Sequence, residues 1–268
     1  MILNRKYLEE NFRDLTLLKT LNLHNKYFAK IEPGTFDGLT SLEILDLSYN
    51  QLTTIAPGTF SGLTSLTKLN LNHNQFTKIE PGAFDGLTSL REIRLGQNRL
   101  TTIAPGTFRD LTSLKQIDLS NNQLTTIAPR TFDGLTSLEM INLGFNLLTT
   151  IAPGIFSGLT SLDRIFLDYN KITTIAPRTF SGLTSLKMLG LSHNQLTTIP
   201  SETFNDLTSL VKIQLEYNLL TKISEGTFRP EITFLDNNFI EGKRNQYNEE
   251  ILNKLNPEYI VENGINSV

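Results

Sequence analysis

Apolar residues in this chain recur in one pattern. Leu42, Leu45, Leu47, Leu52, Ile55, Phe60 and Leu63, with Asn50 among them, define a unit. Adding 24 to each number gives Leu66, Leu69, Leu71, Phe76, Ile79, Phe84 and Leu87, with Asn74. The same types return from Leu90, Leu114, Leu138, Leu162 and Leu186, and from Leu210 as far as Phe228. The unit starting at Leu18 fits except for Lys26 in the asparagine position. Before it, Tyr7, Phe12 and Leu15 read as the second half of an earlier unit. After Phe228 the register jumps by five residues, so that Ile232, Phe234, Asn237 and Phe239 make a shortened last unit. Self-similarity at a fixed period of this size marks a stacked repeat architecture.

The pattern predicts the shape of one unit. The L-x-L segment alternates apolar and polar residues, the period of a half-buried strand. A return within 24 residues is too short for a long crossover helix with two loops. Each unit is therefore a coil: a short strand, a turn, an extended or one-turn return, and a turn back. Strands of successive coils stack in parallel at about 4.8 Å. No coil buries its own leucines without its neighbours. Phe60 and its equivalents are too large for the strand side and should stack along the opposite side as a ladder.

Asn50, Asn74, Asn98, Asn122, Asn146, Asn170, Asn194 and Asn218 stand where the chain leaves the strand. A side-chain amide both donates and accepts, so it suits turn backbone that has no strand partner. These asparagines are expected to form a structural ladder. Lys26 breaks it in the first full coil, where an end position tolerates the breach. Both ends need covers. Residues 1–17 are expected to supply the N-terminal one. The C-terminal one is expected over 241–268, with a helix near 245–255 presenting Tyr247, Ile251, Leu252 and Leu255 on one face. Asn256-Pro257 would end that helix.

L-x-x-L-x-L-x-x-N-x-L-x-x-I followed by F-x-x-L, at this spacing over about residues 7–240, resembles the leucine-rich repeat family in its "typical" subtype. The chain is similar to the repeat regions of Toll-like receptors, small leucine-rich proteoglycans and variable lymphocyte receptors, but it lacks their cysteine caps. The resemblance implies an α/β fold: a right-handed solenoid, or horseshoe, with a parallel concave sheet. Its convex side would be mostly irregular or short-helical, and its C-terminal cap a helix. Residues 18–240 would hold about ten repeats, the last shortened. It also implies a non-enzymatic receptor, adhesin, inhibitor or adaptor that binds a protein or peptide on the concave sheet. Two alternatives are a secreted or surface protein binding glycan or matrix, and the recognition region of a larger enzyme or receptor.

Positions that face the core repeat; those that point away from it do not, and these alone are free to specialise. From Asn22 to Asn121 they are mostly polar or charged. There Lys68 should pair laterally with Glu92, and Arg94 with Asp118. Farther on, Met140, Phe145, Arg164, Phe166, Asp168, Tyr169, Met188, His193 and Tyr217 place apolar and aromatic groups where the fold demands none, with Leu147 and Leu219 on the flank. This is the composition of a protein-binding hot spot, so these nine are the candidate partner-binding residues.

Composition narrows the chemistry. A net charge of −3 argues against a sequence-independent nucleic-acid binder. No apolar run approaches the roughly 18–20 residues a membrane helix needs. The start, "MILNRKYLEENFRDL", lacks a signal-peptide pattern. Cysteine is absent, which excludes disulfide caps, thiolate metal sites and cysteine nucleophiles. It favours a cytoplasmic location, with secretion or the cell surface as the alternative. His73 and His193 lie five coils apart, roughly 24 Å, and His24 is about two coils from His73, roughly 10 Å, so no pair shares a metal. Asp46 and Asp118, about 14 Å apart, are too distant for an acid–base pair. Asp168 beside Tyr169 and His193 lacks a nucleophile in line. No catalytic residue, cofactor, metal, nucleic-acid partner or membrane insertion is expected. The expected state is a monomer, with a dimer as the alternative.

Overall fold

The computed structural model of the protein describes residues 1–220, Thr227, and the short strands Lys222–Ile223, Thr233–Leu235, Phe239–Ile240 and Lys243–Arg244. Each L-x-L segment forms a three-residue strand. Strands one coil apart pair in parallel, with Leu45 opposite Leu69, Ile117 opposite Ile141 and Ile165 opposite Leu189. Ten such strands, from Thr20–Asn22 to Thr233–Leu235, make one sheet in chain order. The inward leucines and isoleucines of the strands are buried and form one core with the phenylalanines behind them.

The asparagines hold the turns that follow the strands. Asn122 Nδ2 lies 3.0, 3.1 and 3.2 Å from the carbonyl oxygens of Leu95, Leu119 and Ser120. Its Oδ1 accepts from the N–H of Leu100 at 2.9 Å. One residue thus ties its own coil to the one before. The contact repeats from Asn50 to Asn218, and all eight side chains are buried. Lys26 carries no such amide; its own N–H is taken by Asn50 Oδ1 at 3.1 Å.

Behind the sheet the chain returns through turns, and no helix forms between Thr20 and Leu220. Two-residue parallel pairings form at the isoleucine positions, such as Ile151 with Ile175. Phe36, Phe60, Phe84, Phe108, Phe132, Phe156, Phe180 and Phe204 stack with ring centroids 5.8–6.5 Å apart. That spacing exceeds the roughly 4.8 Å between paired strands. Each coil is therefore a wedge, wide at the phenylalanines and narrow at the sheet, and the stack curves with the sheet inside.

Both ends differ from the sequence expectation. At the N-terminus it is Leu3, not Tyr7, that pairs opposite Ile31. Residues Arg5–Asn11 form a helix, capped by Asn4 Oδ1 accepting from the Tyr7 N–H at 2.9 Å. A helix rises about 1.5 Å per residue against about 3.3 Å for extended chain. The half-coil therefore absorbs four extra residues, 28 between Leu3 and Ile31 in place of 24. Leu8 is fully buried and Leu15 nearly so, while Tyr7 and Phe12 pack part-buried against the core.

At the other end, Phe234 pairs opposite Ile213. The five-residue jump would have put Ile232 there and is corrected to three. In the regular coils the residue before the strand donates its N–H, as Val211 does to Lys187 O at 3.0 Å. The expected register would assign that duty to Pro230, which has no N–H. The helix expected near 245–255, and Ile232 and Asn237, lie outside the described residues.

Candidate binding surface

The residue before each ladder asparagine adopts a left-handed backbone. Asn25, Tyr49, His73, Gln97, Asn121, Phe145, Tyr169, His193 and Tyr217 all have φ between 52 and 57°. The conformation turns the chain off the sheet and, from Asn25 to His193, aims the N–H at a carbonyl of the next coil, as Tyr169 does to Ser192 O at 3.0 Å. Asparagine tolerates this region; aromatic residues reach it at a cost. Tyr169→Gly should therefore be more stable than Tyr169→Ala by about 0.5–1 kcal/mol. Thermal melts of the two variants check this, and alanine matching or exceeding glycine would show an unstrained backbone.

Side chains in this column lie one coil apart and meet face to face. Phe145, Tyr169, His193 and Tyr217 form a continuous stack with centroids 4.2, 4.0 and 4.2 Å apart and interplanar angles of 8–18°. A shorter group joins Tyr49 to His73 at 3.9 Å and to His24, edge-on, at 4.9 Å. The stacked rings remain open to solvent at their rims: Phe145 is 49%, Tyr169 44% and Tyr217 58% exposed.

The column between the strand leucines is less free than its variability implies. Asn22, Asp46, Asn70, Asp118 and Asn142 each accept, through Oδ1, the N–H two residues on. These are short side chains closing the turn at the strand end. Where that position holds Arg94 or Gly190, the preceding coil substitutes. Asn72 Oδ1 accepts from Gly96 N–H at 2.7 Å, and Asp168 Oδ1 accepts from Ser192 N–H at 2.9 Å and Ser192 Oγ at 2.8 Å. Asp168 thus has a turn-closing role besides the one expected of it. A Cβ at Gly190 would stand 2.2 Å from Asp168 Oδ2, so the carboxylate fills the space a side chain would need.

The stack borders an open depression of about 470 Å³, lined by Phe145, Asp168, Tyr169, Ser192, His193, Gln214, Glu216 and Tyr217. Five of the nine candidate residues meet here. Ser192, Gln214 and Glu216 were missed, although they alternate with the inward leucines of their coils and so point the same way as Asp168. The other four candidates lie apart. Met140 lines a second depression of about 210 Å³ with Glu92, Arg94, Gln116, Asp118 and Asn142. Met140, Arg164 and Met188 stand side by side at the strand starts. Phe166 lies between Asn142 and Gly190 in the next row, half-buried. Arg164 Nε turns to Asp163 Oδ1 at 3.2 Å, and Lys187 Nζ lies 3.8 Å from the same carboxylate.

One expected ion pair is replaced. Lys68 meets Glu92 at 3.4 Å, but Arg94 also binds Glu92 rather than Asp118. Arg94 and Glu92 are two apart on one strand and share a face, whereas the short Asp118 side chain is bound to its own turn. Among the described residues no group of three or more His, Asp or Glu side chains converges on a metal position. No helix among them is long and apolar enough to cross a membrane.

Comparison with known proteins agrees with this architecture. A leucine rich repeat family model matches residues 16–76, 51–100, 64–120, 88–148, 140–196 and 190–236. Among solved structures, TLR13 in complex with the RNA ssRNA13 is 32% identical over 76% of this chain and 29% of its own, with a TM-score of 0.74. A leucine-rich repeat protein of Leptospira interrogans is 29% identical over 81% of this chain and 60% of its own, with a TM-score of 0.59. The Toll–Spatzle complex of Drosophila shares the fold at 21% identity over 88% of this chain and 34% of its own, with a TM-score of 0.67. The chain spans less than two thirds of each of these three. A comparison with curated proteins gives no match.

Proposed function

Because the chain belongs to the leucine-rich repeat family, we propose that it is a non-enzymatic module binding a protein or peptide on its sheet face, mainly through its C-terminal half. The observation that carries this reading is the exposed four-ring stack from Phe145 to Tyr217 beside an open depression. Rigid aromatic groups lose little freedom on binding and dominate protein contacts. The fold itself needs none of these rings, since its core is closed by other residues.

The TLR13 structure holds an RNA, so a net charge of −3 is a weak argument against nucleic acid for this fold. The stack supplies a better one. Single-stranded nucleic acid is held largely by bases lying on aromatic faces. Here the inner faces are occupied by neighbouring rings at 4.0–4.2 Å, and rims are what the surface offers.

The test is the double variant Phe166→Ala with Tyr169→Ala, compared with wild type in capture of partners from lysate and in affinity for the captured protein. Affinity should fall at least about 100-fold, with melting temperature nearly unchanged. An unaltered affinity would sink the proposal.

A further inference from the structure

Resting on that reading, we infer that the depression beneath the aromatic stack seats an arginine side chain from a basic segment of the protein partner. Its lining carries two carboxylates, Asp168 and Glu216, and no lysine or arginine. On the sheet face of this half Arg164, Lys187 and Lys212 lie at or before the starts of the strands, while Lys171 follows the ladder asparagine Asn170 outside the lining of the depression. Arg164 and Lys187 are drawn to Asp163. Asp168 takes part in no ion pair among the described residues. The sheet face therefore runs from paired charges at the strand starts, across Phe166, to Asp168 and the aromatic rings at the strand ends.

The acceptor is preset. Ser192 fixes Asp168 Oδ1 through both its N–H and its hydroxyl, and the missing side chain at Gly190 gives Oδ2 its place. A carboxylate already held in one rotamer loses little entropy when a cation arrives. The rims of Tyr169 and Tyr217 give apolar contact to the methylene stem of an arginine, and its planar guanidinium matches a carboxylate edge. A phosphate would meet the Asp168 carboxylate as repulsion.

The probe is a fluorescein-labelled octapeptide alternating glycine and arginine, titrated with the full chain and read by fluorescence anisotropy. A glycine–glutamate octapeptide and an oligouridylate serve as competing occupants. The arginine peptide should bind, weakening in high salt, and the other two should not. Asp168→Asn with Glu216→Gln should weaken it at least about tenfold, while Arg109→Ala, at an exposed position in a return far from the depression, leaves it unchanged. Asp168→Asn keeps an oxygen for Ser192, and Glu216→Gln alone provides a variant that leaves that turn intact. Absent binding of the arginine peptide, equal binding of either competitor, or carboxamide variants that bind like wild type would overturn the inference. If partner capture still depends on Phe166 and Tyr169 while the arginine peptide fails, the arginine seat falls and the binding surface stands.

Discussion

Phe132→Ala is expected to destabilise the protein by about 3–5 kcal/mol. The ring is 1% exposed and sits mid-ladder, 6.2 Å from Phe108 and 6.4 Å from Phe156. Truncation leaves a cavity that relaxes poorly, because the strand side of the coil is pinned by backbone pairing and the asparagine ladder. In a stacked architecture each coil touches only its neighbours, so a defect in the middle weakens both interfaces at once. Urea denaturation reads the loss as a lower midpoint. A midpoint within error of wild type would mean that the ladder carries little of the stability. Phe36→Ala, at the end of the ladder, should cost less, because only one flanking ring is lost.

The second large effect is expected at Asn122. The carbonyls around Asn122 each accept from two amides: Leu95 O from Asn98 and Asn122, and Leu119 O from Asn122 and Asn146. In Asn122→Ala these carbonyls keep one partner each. The Leu100 N–H, which donates to Asn122 Oδ1, is left buried and unpaired. One orphaned donor and the weakened acceptors together should cost about 2–4 kcal/mol. Asn122→Asp separates the two roles. It keeps an acceptor for Leu100 but turns a carboxylate toward three carbonyl oxygens, so it should be no more stable than alanine at neutral pH. Thermal and urea unfolding of both variants decide the matter. A rescue by aspartate would show that the donor half of the amide is dispensable.

The repeating part of this molecule is legible because each inward position meets the same neighbours in every coil. Leu45, Asn50, Ile55 and Phe60 solve a problem posed again 24 residues later, and the repetition displays the solution. What depends on one coil alone is harder to see. The helix at Arg5–Asn11 replaces an extended half-coil and spans under two turns, too short for a clear period. The last strand's register turns on the missing N–H of Pro230, a single-site effect. The left-handed column was hinted at by Asn25 and Asn121, which favour that conformation, but it was masked by the aromatic residues sharing it. In sequence Asp168 stands among the contact residues. Its bond to Ser192 depends on Gly190 one coil later, a relation no column of one residue type reveals. In sequence the nine candidates read as one patch, yet lateral order sorts them into a ring stack, three apolar residues, an arginine tied to Asp163 and an aspartate tied to Ser192.

The two ring groups also set where the arc can flex. Across His24, Tyr49 and His73, and again from Phe145 to Tyr217, aromatic faces already touch on the inner edge of the curve. Tighter bending would drive them into one another, so these stretches behave as compression stops. Gln97 and Asn121 stand between the groups, and neither carries a ring. The arc is thus a jointed beam, with two stiff segments and a compliant middle through which a bound partner would adjust its grip.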